Sequence, residues 1–356
     1  MNSANRAKDH RGAGFNPANR FETRHRVPDP EMDFEIDPEE VANPRTQFIP
    51  DLTQTAITSN DSPDIGFTHS INPYRGCEHG CIYCYARPTH EYLGFSAGID
   101  FETRILVKER LPELLRGELQ APKWKPDVIA MSGVTDPYQP IERKLQLTRR
   151  CLAILAEFRN PVGIVTKNSL VTRDLDILLE LARHQAVVVF VSLTTLDSNL
   201  RAIMEPRTSP PKARLAAIQR LSAAGVPVGV MIGPVLPGLT DHEIPALVEA
   251  AVKAGAQYAG KTILRLPLAV RPLFDDWLKR HFPDRRDKVL ARIRDVRDGK
   301  LNDSNFGSRM TGQGKYADQL QQLFDVACRR QGIAGRWPSL STTAFRRCDQ
   351  NQLELF

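Results

Sequence analysis

From about Gly66 onward, apolar runs of strand length alternate with stretches of helical period. Runs at Arg104–Lys108, Val128–Ser132, Val162–Thr166, Val187–Leu193, Val226–Ile232 and Lys261–Leu264 read as strands. Between them, Leu147, Cys151, Ile154, Leu155 and Phe158 fall on one helical face, as do Ile244, Leu247, Val248, Ala251 and Val252. Strands that are near-continuous Val/Ile runs, alternating with helices, predict a parallel sheet covered by helices. A closed or partly closed barrel and a doubly wound sheet both satisfy the pattern. In either, functional groups gather at the C-terminal ends of the strands.

Beyond about Arg271 the strands stop. Asp275–Lys300 reads as charged helix, and a further helix carries Leu320, Leu323, Phe324, Ala327 and Cys328 on one face. The first 60 residues are rich in Arg, Asp, Pro and Asn and lack periodic apolar positions. They read as a flexible or loosely docked arm, either a disordered extension or a segment lying over the site or a partner. The chain thus divides into an arm (1–60), an α/β core (61–270) and a C-terminal helical extension or cap (271–356).

Composition changes this picture little. The 356 residues, 41% hydrophobic and 25% charged, suit one large globular domain or two small ones. No apolar run has the length of a membrane span, and the polar start MNSANRAKDHRGAG lacks a signal-peptide stretch, so a cytoplasmic location is expected. The net charge of +6 permits contact with nucleic acid without requiring it. Residues 265–300 hold eleven Lys or Arg against six Asp, with the aromatics Phe274, Trp277 and Phe282 nearby. This is either a phosphate-tracking face or a solvated helix with ion pairs such as Asp284–Lys288; the solvated reading is preferred.

The cysteines carry the chemistry. There are six, too few for a disulfide framework in a chain this long, and three fall at Cys77, Cys81 and Cys84 in the spacing C-x3-C-x2-C. Thiolates suit iron–sulfur clusters and zinc. Gly76 and Gly80 give the loop backbone freedom. Structural zinc and all-cysteine clusters both want four protein ligands, so three ligands leave one iron of a cubane open. The competing reading is a Cys3His zinc site completed by His79 or His90. Cys151 and Cys328 lie on apolar helix faces and read as packing, and Cys348 as a free surface thiol.

The spacing, with aromatic Tyr83 just before the last cysteine, resembles the signature of the radical S-adenosylmethionine (SAM) superfamily. Residues from about Ser62 to Arg330 are similar to the spore photoproduct lyase-related group, and more narrowly to a bacterial DNA repair photolyase-like branch. The matching blocks are SPDIGFTHSINPYRGCEHGCIYCYARPTHEYLG, TDPYQPIE, IVTKNSLVTRD, VSLTTLD, MEPRTSPPKARL, GVMIGPVLPGLTDHE and FGSRMTGQGKYA. The resemblance implies an incomplete (β/α)6 TIM-like barrel with a [4Fe–4S] cluster on Cys77, Cys81 and Cys84, whose open iron chelates SAM. Reductive cleavage of SAM then yields a 5′-deoxyadenosyl radical that abstracts hydrogen from a substrate. A reducing donor such as flavodoxin or ferredoxin is implied. The substrate stays open, with nucleic acid a candidate, and a non-catalytic zinc-bound nucleic-acid-binding protein is the alternative.

The resemblance also assigns roles. The Tyr83 backbone holds the adenine. Ser132, Thr135 and Asp136 lie where the methionine amino group binds. Lys167 meets the SAM carboxylate and Ser192 the ribose. Glu205 and Arg207 support that side, and Gly233 and Pro234 flank the adenosine. Read without the family, Ser132 and Thr135 could be strand-to-loop caps, Lys167 a solvated charge and Asp136-Pro137 a turn. One departure stands out: the lyase's hydrogen-returning cysteine aligns with Gly133, which has no hydrogen to give. Cys151, Cys328 and Cys348 are not obvious replacements, and Tyr138 is the nearest candidate donor in sequence.

Overall fold

The structure, a computed structural model, describes residues 11–22, 44–333 and 338–347. Its strands, in chain order, are β1 Gln47–Pro50, β2 Thr58–Ser59, β3 His69–Ile71, β4 Tyr74–Arg75, β5 Arg104–Val107, β6 Ile129–Met131, β7 Val162–Thr166, β8 Val187–Ser192, β9 Val228–Val235 and β10 Tyr258–Ile263. The main sheet runs β10-β9-β8-β7-β6-β3-β2. All its neighbours pair parallel except β2, which turns back antiparallel on β3. Six parallel strands therefore form an open, partial barrel. Helices Leu147–Phe158, Leu175–Arg183, Pro211–Ala223 and Ile244–Lys253 precede β7, β8, β9 and β10 respectively and cover the outer face. Their inward residues, among them Leu152, Leu155, Leu178, Leu181, Ile218, Leu221, Leu247 and Val248, pack on Ile164, Val189, Val230 and Ile232 in one continuous core.

The strand count agrees with the expectation, but its membership does not. The Arg104–Lys108 run does form a strand, β5, yet it pairs with β1 and β4 in a separate three-stranded sheet. The first barrel strand is instead β3, His-Ser-Ile, which is three residues long and too polar to register as an apolar run. Strand β10 starts earlier than expected, at Tyr258, because Tyr258, Gly260 and Thr262 interrupt the hydrophobic pattern along it.

Much of the N-terminal segment is held where it is described. Strand β1 pairs with β5, and residues 11–22 lie against the loop that carries the three cysteines. Gly12 presses so closely that a Cβ there would stand 1.8 Å from the Gly80 carbonyl oxygen.

The cap helices Val270–His281 and Arg286–Asp295 share a second core with the cysteine loop. Leu273, Phe274, Trp277 and Ile293 pack with Cys81, Ile82 and Tyr83. The cap's exposed charges are largely paired along the helix, Lys279 with Asp275 at 2.9 Å and Arg280 with Asp276 at 2.8 Å. The expected Asp284–Lys288 pair does not form, because Asp284 lies in the 3-10 turn Pro283–Arg285 before its helix begins. Helix Gly314–Gln331 buries Leu320, Phe324, Ala327 and Cys328, leaving Leu323 half-buried. Cys151 and Cys328 are buried as expected, and Cys348 lies outside the described residues. No helix among the described residues is long and apolar enough to cross a membrane.

Candidate active site

The cysteine loop leaves β4 and owes its path to two glycines. Gly76 and Gly80 adopt φ of +81° and +66°. A side chain at either would also collide, at Gly80 with the Glu102 carboxylate 2.6 Å from the added Cβ. The loop's carbonyls are gathered by Arg87, which is fully buried and donates to Cys81 O, Gly80 O, Ala97 O and Gly98 O at 2.9–3.2 Å and to Glu102 at 2.5 Å. Glu102 in turn accepts the amides of Gly12 and Ala13, both at 2.9 Å. The arm, Glu102, Arg87 and the loop form one buried network.

Cys77 and Cys81 are buried, Cys84 is partly exposed, and all three are free thiols. Burial pushes each thiol above its ordinary range; Asp136 adds to this for Cys77 and Glu205 for Cys81. Each thiol also feels at least one of the others, so the sulfurs occupy one neighbourhood. Backbone N–H groups of Asp136 point at Cys77, and those of Ala86 and Arg87 at Cys84, as a thiolate prefers. Burial favours the neutral thiols, and a soft cationic cluster would favour the thiolates. The residues thus fit an iron–sulfur cluster.

Neither candidate histidine offers the fourth ligand that a Cys3His zinc site needs. Among the described residues, no three His, Cys, Asp or Glu side chains converge to hold a single metal ion. A cubane makes no such demand, since each thiolate binds its own iron. His79 is engaged elsewhere, with Nδ1 3.3 Å from Asp136 and Nε2 3.3 Å from the Asn168 amide. His90 is walled in by Phe95 and Phe101.

Facing the loop, the C-terminal ends of β7, β8 and β9 carry a connected polar cluster. The Lys167 ammonium donates to Ser192 Oγ at 2.7 Å, Gly233 O at 2.8 Å and Thr194 Oγ1 at 3.2 Å. It also stands 3.3 Å from Glu205 and 5.6 Å from the Tyr83 ring centre. The Tyr83 hydroxyl and the Arg214 guanidinium both donate to the Glu205 carboxylate, which is fully buried. Burial alone would raise that carboxyl, but Arg214 and Lys167, with the Tyr83 hydrogen bond, outweigh it and hold Glu205 well below the usual range. Asp136 follows the same logic. Burial is outweighed by His79, the Lys167 amide at 2.7 Å and the Thr166 hydroxyl at 2.7 Å, so this carboxylate too sits low.

Tyr83, Lys167, Ser192, Glu205 and Gly233 are therefore brought together, with Asp136 beside them. Three expected residues stand apart. Arg207 points away and binds Glu78 at 2.9 Å, on the outer side of the cysteine loop, because it follows buried Glu205 by two residues around the Pro206 turn. Thr135 is buried with its hydroxyl on Tyr74 O at 3.3 Å, a bond between loop and β4. Ser132 makes no side-chain hydrogen bond among the described residues; it sits at φ +139°, a region that favours glycine. Asn72 holds the turn that follows by accepting the amides of Gly133 and Val134 at 3.0 and 2.9 Å. A Cβ at Gly133 would meet Asn72 and Ser70 at ordinary contact, 3.4 Å, so the position is not glycine for want of room. Tyr138 is fully buried, its amide donating to Asp136 at 2.9 Å and its ring centre 5.9 Å from the Arg173 guanidinium carbon.

Thr194 and Arg214 were missed from sequence. Thr194 belongs to the same VSLTTLD block as Ser192. Arg214 lies on helix Pro211–Ala223, where an arginine reads as a solvated charge until its burial is known.

A family profile described as the radical SAM superfamily matches residues 71–251. An uncharacterized protein of Mycobacterium tuberculosis is 41% identical over 234 residues, spanning 65% of this chain and 67% of that protein. One from Methanocaldococcus jannaschii is 32% identical over 178 residues, spanning 50% of this chain and 64% of its own. Among solved structures, spore photoproduct lyase complexed with dinucleoside spore photoproduct superposes with a TM-score of 0.58 over 82% of each chain, at 16% identity. The same lyase with bound AdoMet gives 0.57 at 14% identity. At such identity the likeness is one of fold.

Proposed function

This chain belongs to the radical SAM superfamily, and from that premise we propose that Cys77, Cys81 and Cys84 hold a [4Fe–4S] cluster whose fourth iron, free of protein ligands, takes SAM. The chain is an enzyme of that superfamily, with an iron–sulfur cluster and SAM as its cofactors. Bound together and reduced, they supply a 5′-deoxyadenosyl radical that abstracts hydrogen from substrate.

The protein's own part follows from the rim. The Lys167 ammonium pairs with the SAM carboxylate, and its present partners Ser192, Thr194 and Gly233 O fix where that charge stands. Glu205 anchors Lys167 and the Tyr83 ring from below, and Arg214 neutralises Glu205 so that Lys167 keeps charge to spare. Asp136, kept ionised by His79, takes the amino end of SAM, and Ser192 its ribose. Arg207, through Glu78, supports the cysteine loop rather than SAM. Residues 11–22 of the arm lie against that loop, the core 61–270 carries the chemistry, and helices Val270–His281 and Arg286–Asp295 of the extension buttress it. The electron comes from a low-potential donor of the flavodoxin or ferredoxin class.

The observation that carries this reading is the placement of Lys167 just past β7, hydrogen-bonded to the ends of β8 and β9 while close enough to Cys81 and Cys84 to favour their thiolates. Anaerobic reconstitution should give about four irons and four sulfides per chain and a reduced-cluster EPR signal that SAM perturbs. With dithionite, 5′-deoxyadenosine should form, and Cys81→Ala should abolish both. Zinc without sulfide, or SAM left intact by the reduced protein, would overturn the proposal.

A further inference from the structure

At the open side of the barrel, charge gathers that the chain does not answer. Loop 60–68 reaches across to loop 303–312, where Asp64 takes the Gly307 amide at 2.6 Å and pairs with Arg309. Three guanidiniums meet here. Arg297, fully buried, spends its hydrogen bonds on the carbonyls of Ile263, Leu264, Ser308 and Arg309, which makes it a staple between β10 and the loop. Arg309 is matched by Asp64 and Ser62.

Arg265, in the turn after β10, is different. Among the described residues it has no hydrogen bond and no ion pair; its one ring contact is Tyr85, whose centre lies 4.6 Å from the guanidinium carbon. Arg309 and Arg297 both stand near enough to repel it, with Asp64 and Asp303 the nearby carboxylates. The corner holds one cation more than it holds anions. A guanidinium that has lost part of its hydration without gaining acceptors is costly unless a ligand supplies them.

The position of this charge gives it meaning. Tyr85 directly follows Cys84, and its hydroxyl donates to Gly133 O at 2.6 Å, so Arg265 and Tyr85 together edge the mouth between the cysteine loop and the turn after β6. We infer that Arg265, stacked on Tyr85, is a substrate-positioning residue that takes a phosphate group, so that the molecule acted on is a nucleotide or a nucleic-acid strand. The inference rests on the rim being the SAM site. A guanidinium fork suits phosphate and carboxylate alike. What favours phosphate is the exposed aromatic surface of this corner: Tyr85, against which Arg265 lies, is 48% exposed, and Phe306, 60% exposed, carries Arg309 4.6 Å from its centre. Cation and flat ring side by side serve a phosphate with a base attached.

The test uses reconstituted holoprotein with SAM bound, titrated with a fluorescent random-sequence DNA octamer across about 50–200 mM salt. Arg265→Gln should weaken binding about tenfold and reduce the salt slope by about one counterion. Arg265→Lys, which keeps the charge and guards against a folding artefact, should keep the slope and lose less affinity. Thymidine monophosphate competing as well as the strand assigns the phosphate to a free nucleotide; a much tighter strand assigns it to a phosphodiester. Equal affinity and slope in wild type and Arg265→Gln would overturn the inference, as would displacement by a triglutamate peptide as effective as by nucleotide. Wild-type protein that builds its cluster and cleaves SAM yet binds no phosphate probe sinks this inference alone. Protein that takes up no cluster sinks the reading beneath it.

Discussion

Replacing Arg87 by Met tests whether the cysteine loop is held by the buried network rather than by the cluster itself. Arg87 and Glu102 are both wholly buried and 2.5 Å apart. Methionine fills similar space but leaves the Glu102 carboxylate with the Gly12 and Ala13 amides as its remaining side-chain partners. It also strips one donor from the carbonyls of Gly80 and Cys81 in the cysteine loop and from those of Ala97 and Gly98 in the turn that packs on it. Breaking one side of a buried ion pair costs about 3–5 kcal/mol, a large part of a typical stability of about 5–15 kcal/mol. At about 2 °C per kcal/mol for a chain of this size, the melting midpoint of the cluster-free protein should fall by roughly 6–10 °C. Iron uptake on reconstitution should fall with it, since the carbonyls of Gly80 and Cys81 are what Arg87 fixes. The double variant Arg87→Met with Glu102→Gln removes both charges and should recover part of the loss, because the uncompensated carboxylate is gone. Melting curves and iron and sulfide analysis read both effects. An Arg87→Met protein that melts within about 2 °C of wild type and takes a full complement of iron would refute the reasoning, as would a double variant as damaged as the two single losses added together.

Lys167→Ala should still assemble the cluster, since all three cysteines remain, but bind SAM at least about tenfold more weakly, read by titrating the EPR change, because one carboxylate partner is lost; unchanged SAM affinity would move the carboxylate site elsewhere. Burial lowers His90 to about 4, although Asp100 opposes this. Among the described residues neither ring nitrogen has a hydrogen-bond partner, the backbone carbonyls of Asp100 and Arg104 lying nearby without the required geometry. The unfolded chain therefore binds the extra proton first, so the contribution of neutral His90 is complete above about pH 6.5 and is lost as pH falls toward 4, on the order of 3 kcal/mol in all. His90→Phe should flatten the stability profile across that window, and an unchanged urea-midpoint profile would show that His90 does not titrate there. Glu205 and Asp136, both held low, add to acid instability in the same sense, below the ordinary carboxylate range. Gly12→Val should release the arm, since even a Cβ stands 1.8 Å from Gly80 O, and should open residues 11–22 to limited proteolysis; unchanged protection would mean the arm does not dock through Gly12.

The sequence by itself determined the strand–helix alternation, the gathering of three thiols in one loop and most of one rim. Val162–Thr166 and Val187–Ser192 are legible because both faces of each are buried, which favours near-continuous runs rich in Val and Ile. The cysteine spacing is legible because all three thiols lie within one short loop. Tertiary structure decided what depends on distant segments meeting. Whether the Arg104 run or the polar His-Ser-Ile segment joined the barrel was settled by pairing partners, which local pattern does not encode. Glu205 and Arg207, two residues apart, face opposite ways because one meets Lys167 and Arg214 while the other meets Glu78. Among the basic residues of 265–300, Lys279 and Arg280 pair along their helix, Arg297 staples two segments and Arg265 is left unmatched. Charge is written in the sequence, but the dielectric around it and the partners that answer it exist only once the chain has closed on itself.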